Sequence, residues 1–198
     1  MSDPGIESNN SPLSGEMPYN CPVCGCSVAM QGQQDNIPFF GDILEVSVVC
    51  DCGFKFVDTI ILGQKEPLQH KKRVCSEGDL CARVIRSTSG TIHIPEWGVD
   101  IEPGPASEAY ITNVEGIIDR IQAVVKMARK WSETDDERLK ADTLLDTMRI
   151  ARDGNPNFTL VIEDPLGNSA VIGDDVEVRK LSDEEIENLH TGMFIVQK

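Results

Sequence analysis

Two short stretches, Cys21-Pro22-Val23-Cys24-Gly25 and Cys50-Asp51-Cys52-Gly53, decide how this chain is read. Each sets two thiols beside a glycine, and 25 residues lie between the pairs. Two such turns, carried toward each other by a β hairpin, present four sulfurs to one cation. This is how a zinc ribbon builds a tetrahedral site. The glycines allow the chain to fold back so that backbone N–H groups point at the sulfurs. Zinc then supplies roughly 10–16 kcal/mol of apparent binding energy in place of a core. The second pair is Cys-x-Cys where most ribbons have Cys-x-x-Cys, and Cys26 offers a competing ligand. A redox dithiol at Cys21 and Cys24 would need a strand-to-helix setting that the flanking residues lack.

Composition bounds the partners. The chain has 198 residues, with 33 Asp and Glu against 18 Lys and Arg, a formal charge of −15. Binding to a nucleic acid backbone rests on clustered Lys and Arg, so nucleic acid is not the expected partner. No run of eighteen apolar residues occurs, which excludes a helical membrane span. The first residues lack the basic and apolar regions of a secretory signal. Seven cysteines, an odd number, therefore point to metal ligands and reduced thiols in a cytoplasmic protein.

Outward from the cysteine pairs, residues 1–17 are rich in Ser, Asn, Pro and Gly and are expected to form a disordered tail. The Val- and Ile-rich runs Ile43–Val49 and Phe54–Leu62 predict strands. The polar, locally basic residues 64–74 predict a linker or an exposed edge, and Cys81–Ser87 and Thr91–Ile94 predict further strands. Past the proline loop Glu102–Pro105, apolar residues recur at helical spacing twice. Val114, Ile117, Ile118, Ile121, Val124, Val125 and Ala128 mark one face, and Ala141, Leu144, Leu145, Met148 and Ala151 the other. Capping boxes are expected at Thr112 with Glu115 and at Thr134 with Glu137, and Gly154 and Pro156 end the second helix. Alternation returns in Phe158–Glu163, followed by an Asp164–Asn168 turn and the run Ser169–Ile172. The tail from Asp174 is acidic, with Ser182 and Glu185 capping a short helix that Gly192 would end.

Signals of catalysis are thin. His70, His93 and His190 stand in no metal-binding or triad arrangement, and His93 alternates with Ile92 and Ile94 as a solvent-facing residue would. Glu96 follows Pro95 in an exposed turn with no acid–base partner. Cys75 and Cys81 are expected on or near strands as reduced thiols. Lys71, Lys72 and Arg73 form the one basic run, the usual mark of a solvated edge.

The motifs CPVCG (21–25), IPFF (37–40), CDCG (50–53), IHIPE (92–96), VEG within TNVEGIIDR, and FTLVIEDPLGNS (158–169) resemble, in this order, the ZPR-type zinc-finger family. The likeness runs from about residue 18 to 172. It implies a mainly β protein with an α insertion. A four-cysteine zinc ribbon at 18–66 is followed by a double-stranded β-helix (jelly-roll-like) domain at 67–198, which carries a helical hairpin at about 112–153. It carries the metal role to Cys21, Cys24, Cys50 and Cys52, with one zinc ion. It also implies a non-catalytic protein that binds or chaperones translation elongation factor one-alpha, as the eukaryotic members do, in a chain whose single module resembles the archaeal members. Phe39, Phe40 and Glu96 are the candidate partner contacts, the phenylalanines serving equally well as core. Two rivals remain, a nucleic-acid-binding ribbon and a cupin-like metalloenzyme.

Overall fold

A computed structural model describes residues 17–104 and 107–190, and the chain divides into two compact units, Met1–Gly63 and Gln64–Lys198. Of the tail expected over residues 1–17, Met17 instead opens the first strand, and the remainder, like Pro105 of the proline loop and the helix stop at Gly192, lies outside the described residues.

The first unit is one antiparallel sheet in the order β1 (Met17–Asn20), β2 (Ser27–Ile37), β3 (Gly41–Val49) and β4 (Lys55–Ile61). The two Val- and Ile-rich runs are β3 and β4. β2 is a polar strand whose 11 residues alternate between exposed and half-buried, the period-2 mark of a pleated ribbon with one covered face. Its register against β3, Met30 opposite Val48 and Gly32 opposite Val46, makes that face continuous. The turn between β2 and β3 is the IPFF segment. Phe39 occupies the left-handed region at φ 77° and is exposed, while Phe40 is buried.

In the second unit, two antiparallel sheets enclose the core. One has the order β12-β5-β10-β7-β8, built from β5 (Leu68–Val74), β7 (Thr91–Ile94), β8 (Val99–Ile101), β10 (Phe158–Asp164) and β12 (Val176–Lys180). The other runs β11-β6-β9, from β6 (Arg83–Arg86), β9 (Tyr110–Asn113) and β11 (Ala170–Ile172). Between β5 and β6 stands a one-turn helix, α1 (Glu77–Leu80), and after β12 a short helix, α4 (Asp183–Asn188). The hairpin is α2 (Val114–Trp131) and α3 (Asp135–Arg152), inserted between β9 and β10. Strict alternation along β10 points Phe158, Leu160 and Ile162 inward, where they meet Val74, Val84, Ile92, Ile94, Ile118 and Met148. The architecture is the expected mainly β jelly roll with a helical insertion.

Three expectations are corrected. Residues 68–74 are not a linker or an edge: β5 lies between β10 and β12 and buries His70, Lys72 and Val74. The strand is polar because the counter-charge of Lys72 comes from elsewhere in the chain: Asp79 lies 2.7 Å from its Nζ. The cap of α2 is Asn113 rather than Thr112: the helix begins at Val114, and the Asn113 side chain accepts from the Gly116 N–H at 2.8 Å. The apolar stripe of the hairpin is only half covered. Val114, Ile117, Ile118 and Ile121 are buried, Val125 and Leu144 are partly buried, and Val124 and Ala128 are exposed. Helices of 18 residues reach about 27 Å, and the buried positions of α2 end at Ile121, in its first half. The boxes at Thr134 with Glu137 and at Ser182 with Glu185 form as expected.

Candidate metal centre

The first cysteine turn sits in the β1–β2 hairpin and the second in the β3–β4 hairpin, so the antiparallel sheet carries both to one end. Each turn closes by the same bonds. The Gly25 N–H donates to the Cys21 carbonyl at 2.8 Å, and the Gly53 N–H donates to the Cys50 carbonyl at 2.9 Å. Gly25 at φ 73° and Gly53 at φ 96° occupy the left-handed region, where a side chain would be strained. The base of the first turn is the Cys21 N–H bonded to the Cys26 carbonyl, and that of the second is the Cys50 N–H bonded to the Phe54 carbonyl, both at 2.9 Å. Counted back from these bases, the two turns match. The residue missing from Cys-x-Cys is lost from the loop between the sulfurs, and the four sulfurs still converge.

The four Sγ atoms of Cys21, Cys24, Cys50 and Cys52 lie within 4.8 Å of one another. Cys21 is 3.6 Å from Cys52, and Cys24 is 3.5 Å from Cys50. A tetrahedral zinc with bonds of about 2.3 Å sets its sulfurs about 3.8 Å apart, so the donor set fits this ion in kind, number and spacing. Cys26 stays outside the cluster. Its backbone N–H favours the Cys24 thiolate, as the Phe54 N–H favours that of Cys52.

Electrostatics of the sulfurs point the same way. The Cys26 N–H, followed by the neighbouring thiols, lowers the Cys24 thiol to about 6. At Cys50 the Cys52 N–H favours the thiolate, but the sulfurs of Cys52 and Cys24 outweigh it and push the thiol up to about 12. Four sulfurs this close cannot all ionise without a cation among them, and zinc supplies that charge. All four coordination positions are then filled by protein, which makes a structural site with no place for a substrate.

Elsewhere the candidate groups are dispersed. His70 is buried with its pKa lowered, chiefly by burial. His93 is half-buried rather than solvent-facing, with Nδ1 2.6 Å from Asp100 and Nε2 3.3 Å from Glu163. His190 meets Glu102 at 2.9 Å. Among the described residues, the four cysteines are the one group of three or more His, Cys, Asp or Glu able to hold a metal. Cys75 and Cys81 are exposed, flanking α1. The basic run is spent on internal pairs: Lys71 with Glu177, Lys72 with Asp79 and Arg73 with Glu96. Glu96 also accepts from the Thr159 N–H and hydroxyl, tying the turn Pro95–Trp97 to β10. No described helix is long and apolar enough to cross a membrane.

Sequence reasoning missed two polar centres of the second unit. One is Asp79, the partner of Lys72. The other is Asp164, buried and accepting from the hydroxyls of Ser87 and Ser89 at 2.7 Å and from Ser169. Ser89 and Ser87 meet Asp164 across 75 and 77 positions, which no local pattern links.

A family profile for the ZPR1 jelly-roll domain matches residues 78–191. A ZPR1-like protein of Methanocaldococcus jannaschii is 39% identical over 89% of this chain and 91% of its own length. Another from Pyrococcus horikoshii is 42% identical over 89% of this chain and 82% of its own. The zinc finger chaperone zpr1 of Schizosaccharomyces pombe is 28% identical over 75% of this chain, which covers 34% of that longer protein. With the four-sulfur cluster at one end of the ribbon and the jelly roll following it, the protein is a zinc-binding module, and the chain belongs to the ZPR1 family.

Proposed function

We propose that this protein is a non-catalytic, zinc-organised interaction module that binds and chaperones translation elongation factor one-alpha in the cytoplasm. The observation that carries the reading is a closed four-sulfur centre in a chain related to a protein named as a zinc finger chaperone. The metal orders the ribbon and leaves its surfaces for binding. A charge of −15 suits a factor that handles RNA and so presents basic faces, because opposite charges speed encounter. Phe39, exposed in its tight turn, serves as a partner contact. Phe40 anchors that turn from within, and in the other unit Glu96 ties the Pro95–Trp97 turn to β10.

Capture from cell extract at moderate salt tests the reading, followed by refolding of the purified factor with and without the zinc-loaded protein. Recovery of the elongation factor and a higher refolded yield are expected. Recovery of ribosomes or RNA without the factor would overturn the proposal in favour of a nucleic-acid-binding ribbon.

A further inference from the structure

We propose that β4 is a docking edge which takes an extended segment of a partner polypeptide as an added strand, with Asp58 selecting a basic residue at its centre. The inference rests on the reading of the protein as a binding module and names the surface and the chemistry it would use.

β4 pairs with β3 from Lys55 opposite Val49 to Ile61 opposite Ile43, and among the described residues no strand lies on its other side. The bonds at both ends of this ladder, Cys50 N–H to the Phe54 carbonyl and Leu62 N–H to the Asp42 carbonyl, set the phase of the pairing. Even-numbered residues of β4 therefore bond β3, and Lys55, Val57, Thr59 and Ile61 turn their backbone groups outward. Thr59 bears this out, since its N–H is held at 2.8 Å by the carboxylate of its own neighbour Asp58.

Soluble proteins blunt such edges with charge, brevity or cover. Here seven residues form the edge, and Phe56 (42%), Val57 (64%) and Ile60 (46%) are open to water. Beside them Val49 and Leu62 are exposed as well. An edge that no described strand covers, bordered by large apolar side chains, is the arrangement that β-strand addition uses, the backbone giving affinity and alternate side chains giving selectivity.

Charge chooses the occupant. Phe56, Asp58 and Ile60 share one face, so a matching strand reads apolar-x-basic-x-apolar. A second copy is disfavoured: antiparallel self-pairing about the strand midpoint sets Asp58 against Asp58, and like charges directly opposite destabilise. Between residues 17 and 63 the acids Asp35, Asp42, Glu45, Asp51 and Asp58 face Lys55 alone, which adds repulsion between copies and attraction for a basic segment.

The test uses the zinc-loaded full chain and two labelled peptides, Thr-Ile-Thr-Lys-Thr-Ile-Thr and its Lys-to-Glu counterpart, followed by fluorescence anisotropy. The Lys peptide is expected to bind at least about tenfold more tightly, and Asp58→Lys to reverse the order. Val57→Pro removes an outward N–H, which an edge strand tolerates, so it should keep its zinc and lose the Lys peptide. Equal binding of both peptides, binding of neither, or an unchanged Val57→Pro would overturn the proposal, as would self-association that Val57→Pro abolishes. Capture of elongation factor one-alpha by wild type and Val57→Pro in parallel separates the two readings. Equal capture by both sinks the docking edge alone. Capture by neither, with Lys-peptide binding intact in the wild type, sinks the elongation-factor reading and supports the edge.

Discussion

Lys72 and Asp79 form an ion pair of 2.7 Å in which a single carboxylate neutralises a buried ammonium and closes the cap of a helix. The Lys72 side chain is 2% exposed and its Nζ also donates to the Asp174 carbonyl, so strand β5 and the segment after β11 meet at one charge. The other oxygen of Asp79 accepts from the N–H groups of Cys75 and Ser76 and from the Ser76 hydroxyl. α1 is only one turn long, and this shared carboxylate, together with Leu80 buried in the core, holds it.

Asp79→Asn should destabilise the second unit by about 3–5 kcal/mol, because it strands a buried ammonium without its counter-charge. Lys72→Met keeps the packing of the stem and leaves a carboxylate still served by three donors, so it should cost only about 1–2 kcal/mol. Urea unfolding followed by the helical signal of α2 and α3 compares the two, and equal costs would refute the assignment.

The same pair sets a pH dependence. Lys72 first, and Ser76 next, hold the Asp79 carboxyl well below the usual carboxylate range. A carboxyl whose folded pKa lies below its unfolded one contributes fully above the unfolded value and loses that contribution as pH falls toward the folded one. The stability gap between wild type and Asp79→Asn should therefore be constant near neutrality and shrink below about pH 4. Urea midpoints of both proteins across that range measure it.

Asp164 is the second buried anchor. It gathers three serine hydroxyls and the N–H groups of Leu166 and Asn168, which joins the Asp164–Asn168 turn to the Ser87–Ser89 bend. Asp164→Ala leaves these donors without an acceptor and should cost about 3–4 kcal/mol. Asp164→Asn should also destabilise, since its amide brings two donors into a place built for an acceptor. Thermal unfolding of both variants decides the point, and a near-neutral Asn variant would be inconsistent with a site that only accepts.

Removal of the metal should act on one unit. Chelation is expected to release one zinc per chain and to melt the sheet of residues 17–63, while the signal of α2 and α3 in the other unit persists. Cys26→Ser should keep the full zinc content, and Cys52→Ser should lose affinity. A colorimetric zinc assay with circular dichroism reads both, and zinc loss in Cys26→Ser would contradict the geometry.

Much of this was open to inspection in the chain because the governing forces are local. Thiol and glycine spacing at Cys21–Gly25 and Cys50–Gly53 specifies two turns whatever lies around them. The 3.6-residue period of Val114 to Ile121, the box at Thr134 with Glu137 and the alternation of Phe158–Glu163 each act within a turn or a strand. Polar residues on inner faces were opaque for the opposite reason. Lys72 looks like a solvated charge until Asp79 is brought to it, and Ser87, Ser89 and Asp164 look like loop chemistry until the sheets bring them together.

The chain alone thus established the metal chemistry, the order β, helical hairpin, β, and the family resemblance, all of which follow from residue type and short-range spacing. Folding in three dimensions settled the rest: which thiol stands outside the cluster, which residue caps α2, and how much of the hairpin stays in water. These outcomes depend on burial and on partners distant in sequence, and both take their values from packing.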